Sequence, residues 1–328
     1  MDPLTLDALD RQLVHALQVD GRVGFGRLAE VLDASDRTLN RRYRRLLAAG
    51  VLRVVGVPVA RALGQADWLV RMRCLPHAAP EIGAVLAADP DTSWVTVLSG
   101  GAEIACMVRA PADSLVLRSL PRSSRIGSVT AQRLLRPVAG ADGWPGRLGA
   151  LSAEQVRALR ETGPGEPGPD DRPLFDDEDR TLLPILARDG RAGWSALARA
   201  TGWSPAAVAR RVEQLRRGGA LVLEVDVEPA LFGAPCGAML WLTVRPSALA
   251  GAGRALAAHP DIAFAAVTTG STNLVAFVAC SGDDALYDDV LLPLGDVDGV
   301  DHVDLSPMSE MVSRSVASAR PLGRPRGR

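Results

Sequence analysis

Arg37, Arg41 and Arg44 recur at i, i+4 and i+7, with Asn40 beside them. A planar guanidinium can donate two parallel hydrogen bonds to a guanine edge, and a carboxamide can pair with an adenine edge in the same two-point way. Leu39, Tyr43 and Leu46 repeat the same spacing on another stripe. One helix would therefore bury the apolar stripe and offer the polar one. Arg42 and Arg45 are expected at phosphates, which fix register without reading sequence. Ser35 suits the N-cap, and Asp36 falls in the first turn, where the macrodipole favours an acid. A second segment has the same grammar. Ser204-Pro205 supplies the cap and first helical residue, and Val208, Val212 and Leu215 form the core stripe. Its outward positions are Ala206, Arg210 and Glu213. The candidate contacts to double-stranded DNA are thus Ser35, Arg37, Thr38, Asn40, Arg41, Arg42, Arg44 and Arg45, then Ser204, Ala206, Arg210 and Arg211.

Other chemistry finds little support. Cys74, Cys106, Cys236 and Cys280 form no CxxC motif, and His15, His77, His259 and His302 stand singly. Small apolar residues in strands account for the cysteines, and no catalytic residue, metal or cofactor is assigned. The 37 basic residues of the 328-residue chain are all arginine, and the net charge is −1. No global field therefore draws the chain to a polyanion, and affinity must come from a local patch. Residues 1–64 hold 10 Arg against 7 acids, net +3, whereas residues 170–233 hold 9 Arg against 11 acids, net −2. Phosphate affinity follows local charge, so the first segment is expected to dominate.

The elements that must position these residues repeat along the chain. Asp10-Arg11, Asp20-Gly21-Arg22, Leu28-Ala29, Ser35, Arg41-Arg42, Leu46, Gly50 and Gly64 all recur 169 residues later. Further on the offset drifts to 170, as in Asp89-Pro90-Asp91 against His259-Pro260-Asp261. One structural unit has been duplicated. Each copy begins with three helices, predicted over 6–19, 26–32 and 35–49 in the first, with a tight turn before the third: a helix-turn-helix. A short β segment follows, 51–55 or 221–225, read as a wing or hinge strand. The remainder reads βαββαβ, with strands at 68–75, 94–98, 103–108 and 129–135 and helices at 78–88 and 112–120. The second copy repeats the order from 239 to 305. The predicted fold class is therefore α+β: two copies of a winged helix-turn-helix followed by a ferredoxin-like βαββαβ domain. Domain boundaries are expected at 1–64, 65–140, 174–233 and 234–320. A short helix and a Pro/Gly/acid-rich linker fill 141–173, and a basic tail occupies 321–328.

The run LDALDRQLVHALQVDGRVGFGRLAEVLDASDRTLNRRYRRLLAAGV, its second version FDDEDRTLLPILARDGRAGWSALARATGWSPAAVARRVEQLRRGGAL and the βαββαβ order resemble the Lrp/AsnC (leucine-responsive/asparagine-regulator) transcription factors. The resemblance covers nearly the whole chain and implies a sequence-specific, DNA-binding regulator. It also implies a ligand domain that dimerises through its sheet and takes an amino acid or related metabolite near the second hairpin. The family's hairpin pattern, a Gly followed three residues later by Asp, falls on Gly100 and Glu103, then on Gly270 and Asn273. Ser99, Gly100, Gly101, Glu103, Thr269, Gly270 and Asn273 are the implied effector positions, and both acid positions depart from Asp.

Siroheme decarboxylases resemble the chain in architecture, but the strands SWVTVLSGGAEIACMV and AFAAVTTGSTNLVAFV carry no His or Tyr for acid–base work on a tetrapyrrole. A sensor that no longer binds DNA is a further alternative. The tail Arg324-Pro325-Arg326-Gly327-Arg328 is similar to an AT-hook core, though a disordered basic end explains it better. No apolar run is long enough to span a bilayer and no signal pattern opens the chain, so a cytoplasmic location is expected. A dozen-residue linker spans roughly 20 Å, enough for the two ligand domains to meet within one chain. An intramolecular pseudo-dimer pairing 66–136 with 235–306 is expected, with further homo-oligomers possible.

Overall fold

A computed structural model describes residues 5–111, 123–140, 149–161 and 174–313. The helix expected at 112–120, the linker 162–173 and the tail 321–328 lie outside the described residues. The chain divides into two compact units, and each draws on both copies.

The first unit comprises the residues up to Gln65 together with a stretch ending at Glu228. Its first head is α1 (Ala8–Val19), α2 (Phe25–Leu32) and α3 (Asp36–Ala48), followed by β1 (Leu52–Pro58). Leu13, Leu17, Leu28, Leu39 and Leu46 are buried, so the three amphipathic stripes meet in one core. The second head repeats this with α6 (Asp177–Arg180), α7 (Leu183–Arg188), α8 (Trp194–Thr201), α9 (Pro205–Arg217) and β6 (Leu221–Val227). Its first helix is broken in two where Pro184, which has no N–H to donate, stands in place of His15.

The segments read as wing or hinge strands join the copies. β1 pairs antiparallel with β6, from Leu52 opposite Val227 to Pro58 opposite Leu221. The repeated Asp-Gly-Arg closes the joint from both sides. Arg22 donates to the carbonyls of Gly190 (2.6 Å) and Ala192 (2.7 Å), and Arg191 to those of Gly21 (2.7 Å) and Val23 (2.9 Å). Arg22 lies 3.8 Å over the Trp194 ring, and Arg191 5.1 Å over Phe25. Burial pulls the Arg22 guanidinium down to about 10, still charged at neutral pH. Glycine is required between Asp and Arg because a Cβ on Gly21 would lie 2.8 Å from Leu223 Cβ. α5 (Ala153–Arg160) packs on α1 and α2 of the first head. Its anchors are Gln155 to the Val31 carbonyl at 2.9 Å, Arg27 to the Ala158 carbonyl at 2.8 Å, and the Leu151 N–H to His15 Nδ1 at 3.1 Å.

The second unit holds both βαββαβ halves. The first has β2 (Gln65–Cys74), α4 (Ala79–Ala88), β3 (Thr92–Leu98), β4 (Glu103–Pro111) and β5 (Ile126–Ala139). The second has β7 (Cys236–Val244), α10 (Leu249–Ala258), β8 (Ile262–Thr268), β9 (Leu274–Cys280) and β10 (Val300–Ser313). Between β9 and β10 lies a helical stretch with a π turn over Leu286–Leu291. The eight strands close into one barrel in the order β10-β3-β4-β2-β5-β8-β9-β7. The last strand of each half is longer than its sequence pattern suggests, because it serves two sheets. β5 pairs with β2 up to Arg133 and with β8 from Leu134, and β10 pairs with β7 up to Pro307 and with β3 from Met308. Helices α4 and α10 cover separate outer cores, while Leu69, Ala105, Met239, Trp241, Val275 and Phe277 share the interior between the halves.

Candidate nucleic-acid interface

Helix α3 is fixed at both ends. Ser35 caps it by accepting the Thr38 N–H at 3.1 Å and donating its hydroxyl to Thr38 Oγ1 at 2.8 Å. Leu39, Tyr43 and Leu46 are buried, whereas Arg37, Arg41 and Arg44 are exposed and Asn40 is half-buried. The arginine stripe is therefore presented outward as the spacing required. In α9, Ser204 caps through the Ala207 N–H at 3.2 Å, and Ala206 and Arg210 are exposed. Glu213 holds Arg216 at 3.0 Å and Arg217 at 3.3 Å, so two cations of that head are partly neutralised.

Arg42 and Arg211 have partners inside their own heads. Arg42 reaches back to α1, with Nη1 2.6 Å from Asp7 and 3.0 Å from Asp10. Arg45 meets the other Asp10 oxygen at 2.5 Å and stays half-exposed. Asp10 is buried and belongs to a capping box with Asp7. Arg211 repeats this on buried Asp179, at 2.6 and 2.9 Å. The cause is local: a buried carboxylate at each helix start requires a cation, and the position nearly two turns into α3 or α9 supplies it. The paired carboxylates raise the pKa of Arg42, chiefly through the bond to Asp7, and likewise of Arg211 through Asp179. Arg42 and Arg211 act as struts between helices. Sequence reasoning missed this, although Asp10-Arg11 and Arg41-Arg42 recurring at one offset was the available signal.

The model of the AsnC-type helix-turn-helix domain matches residues 6–47 and 175–216. The regulatory protein AsnC of Escherichia coli is 30% identical over 119 residues, covering 34% of this chain and 76% of that protein. The chain belongs to the Lrp/AsnC family. The HTH-type transcriptional regulator FL11 of Pyrococcus furiosus is 24% identical over 131 residues, 40% of this chain and 86% of its own length. These relatives span one copy, and this Lrp/AsnC member carries two. A crystal structure of the siroheme decarboxylase NirDL has the same tandem fold, with a TM-score of 0.63 at 14% identity over 94% of this chain and 93% of its own.

The two hairpins at which the family resemblance placed effector positions lie at the joints between halves. Ser99–Gly101 forms a tight turn after β3, and the Gly100 N–H donates to Ser309 Oγ of β10 at 3.0 Å. Thr269 exchanges bonds with the Arg133 backbone of β5, accepting on its hydroxyl at 2.9 Å and donating its N–H at 3.0 Å. Gly270 has φ +107°, and a Cβ there would lie 2.7 Å from Gln132 Nε2. Both acid positions have internal partners. Glu103 is gripped by Arg71 at 2.8 and 3.0 Å and touched by Arg73 at 3.2 Å. Asn273 uses both ends of its carboxamide on the Val244 backbone, at 2.9 and 2.8 Å. No group of three or more His, Cys, Asp or Glu side chains suited to a metal ion occurs among the described residues. No described helix is long and apolar enough to cross a membrane.

Proposed function

We propose that the chain is a sequence-specific DNA-binding transcription regulator whose first head does most of the reading. The observation that carries this is α3 itself: a capped helix, braced by Arg42 on buried Asp10, with Arg37, Arg41 and Arg44 turned to solvent. Bracing sets the rotation of the helix, and the free guanidiniums supply edge-reading forks. Arg41→Ala tests it. A bidentate base contact is worth about 1–3 kcal/mol, so binding to the cognate upstream fragment should weaken roughly 5- to 150-fold, with little change on random DNA. Equal loss on both would assign Arg41 to phosphate, and no loss would remove α3 from the interface.

A small-molecule response, to an amino acid or related metabolite, is the second part of the reading and rests on family membership. Calorimetry against the twenty amino acids tests it, with heat of binding lost in Gly100 and Gly270 variants if the hairpins form the site. The NirDL-like architecture favours one competing reading, a tetrapyrrole-processing enzyme. Titration with an iron tetrapyrrole separates the two: a saturable Soret shift would support the enzyme, and an unchanged spectrum the regulator.

A further inference from the structure

Where the two copies touch inside the barrel, their residues differ. In the barrel interior Arg71 of the first half binds Glu103 of its own half, then crosses the joint to Asp304 Oδ2 (2.7 Å) and Ser306 Oγ (3.1 Å) of the second. Ser306 donates its hydroxyl to Glu103 at 2.9 Å and accepts the Trp241 indole N–H at 3.3 Å, and the Trp241 ring centroid lies 4.7 Å from the guanidinium. Arg71 is 14% exposed and Glu103 9%, so the cluster is largely desolvated.

Strand register gives the equivalents. Arg71 faces Thr130 on β2–β5, and Trp241 faces Asp304 on β7–β10, so Arg71 corresponds to Trp241 and Thr130 to Asp304. Leu69 faces Gln132 and Met239 faces Ser306, so Gln132 corresponds to Ser306. Glu103 corresponds to Asn273 by the repeat offset. A pair of first halves would set a second Arg71 where the indole lies and replace Asp304 with a threonine. A pair of second halves would set two Trp241 rings together, leave both Asp304 without a guanidinium, and crowd two Phe277 where the chain has Met107 and Phe277. Each like pair loses the Arg71–Asp304 ion pair across the joint, and overpacking of the interior destabilises it further.

The heads carry an independent asymmetry. Asp20, 7% exposed, is bound by Arg216. The position equivalent to Arg216 is Leu47, so two first heads would leave that carboxylate against leucine.

We propose that the pairing surfaces are heterospecific: a first copy accepts a second copy of this chain and rejects another first copy. Every pair then presents one net-basic head (residues 1–64, +3) and one net-acidic head (residues 170–233, −2), never two basic heads. Asymmetric operators follow from that, even when chains assemble further.

The test uses the full chain and three variants. One carries W241R, N273E, D304T and S306Q, giving the second half the first half's residues. Another carries R71W, E103N, T130D and Q132S, the reverse. The last combines all eight and so exchanges the code. Each four-fold variant should melt about 10 °C or more below the native chain, and the eight-fold exchange should recover at least about half of that loss. Recovery persists as a readout even where a four-fold variant fails to fold. A four-fold variant melting like the native chain would overturn the proposal. So would an eight-fold variant no better than the four-fold ones, because the positions would then matter to packing and not to partner choice.

Discussion

Arg42→Ala separates a strut from a phosphate contact. The Arg42 guanidinium, 21% exposed, bridges Asp7 and Asp10, and the Asp10 side chain is 1% exposed. Removing one partner of a buried ion pair costs about 3–5 kcal/mol, because the remaining charge is stranded. Here Arg45 still reaches Asp10 at 2.5 Å, which offsets part of the loss. A cost of about 2–4 kcal/mol follows, or a drop of roughly 5–15 °C in the melting of the head unit. The assay is thermal melting by circular dichroism beside DNA binding at several salt concentrations. A strut changes stability and leaves the slope of log K against log salt intact, whereas loss of a phosphate contact lowers that slope by about 1. A variant as stable as the native chain, with a reduced salt slope, would refute the reasoning.

Arg210→Ala should weaken cognate binding less than Arg41→Ala, because α9 offers Ala206 and Glu213 where α3 offers Arg37 and Arg44; equal losses in a side-by-side gel shift would show local charge to be the wrong guide. Burial depresses His15 from 6.5 to about 4, and its Nδ1 must keep a lone pair to accept the Leu151 N–H. The unfolded chain therefore binds the extra proton first, so this stabilisation is complete above pH 6.5 and is lost as pH falls toward 4. On the order of 1–3 kcal/mol separates the ends of that window; denaturant titrations of the native chain and His15→Gln should converge as the pH drops, and parallel curves would exclude His15 as the cause. Gly140→Ala should destabilise the barrel by about 2–5 kcal/mol, because φ is +79° and a Cβ would lie 2.2 Å from the Ala263 carbonyl oxygen. A melt of that variant unchanged within error would show that the β5–β8 joint yields to a Cβ and would refute this prediction.

The sequence by itself determined the duplication, the three-helix grammar of each head and the βαββαβ order of each half. Those features are written in local periodicity, caps and turns, which neighbouring residues settle among themselves. The outward stripe of α3 was legible for the same reason: Leu39, Tyr43 and Leu46 fix which face turns inward. Partner choice was not legible, because it joins residues from different elements, 32 positions apart or more. Arg42 looked like any other arginine of an arginine-rich helix until α1 brought Asp10 to it. Nothing in the sequence around Glu103 marks Arg71 as its partner; the fold brings the two together. The ends of β5 and β10 gave no sign in their own pattern that each would finish in the other half's sheet. Only tertiary structure decided these, because a buried charge or an unpaired strand edge takes whichever partner the packed chain brings within reach, and sequence distance does not enter that energy.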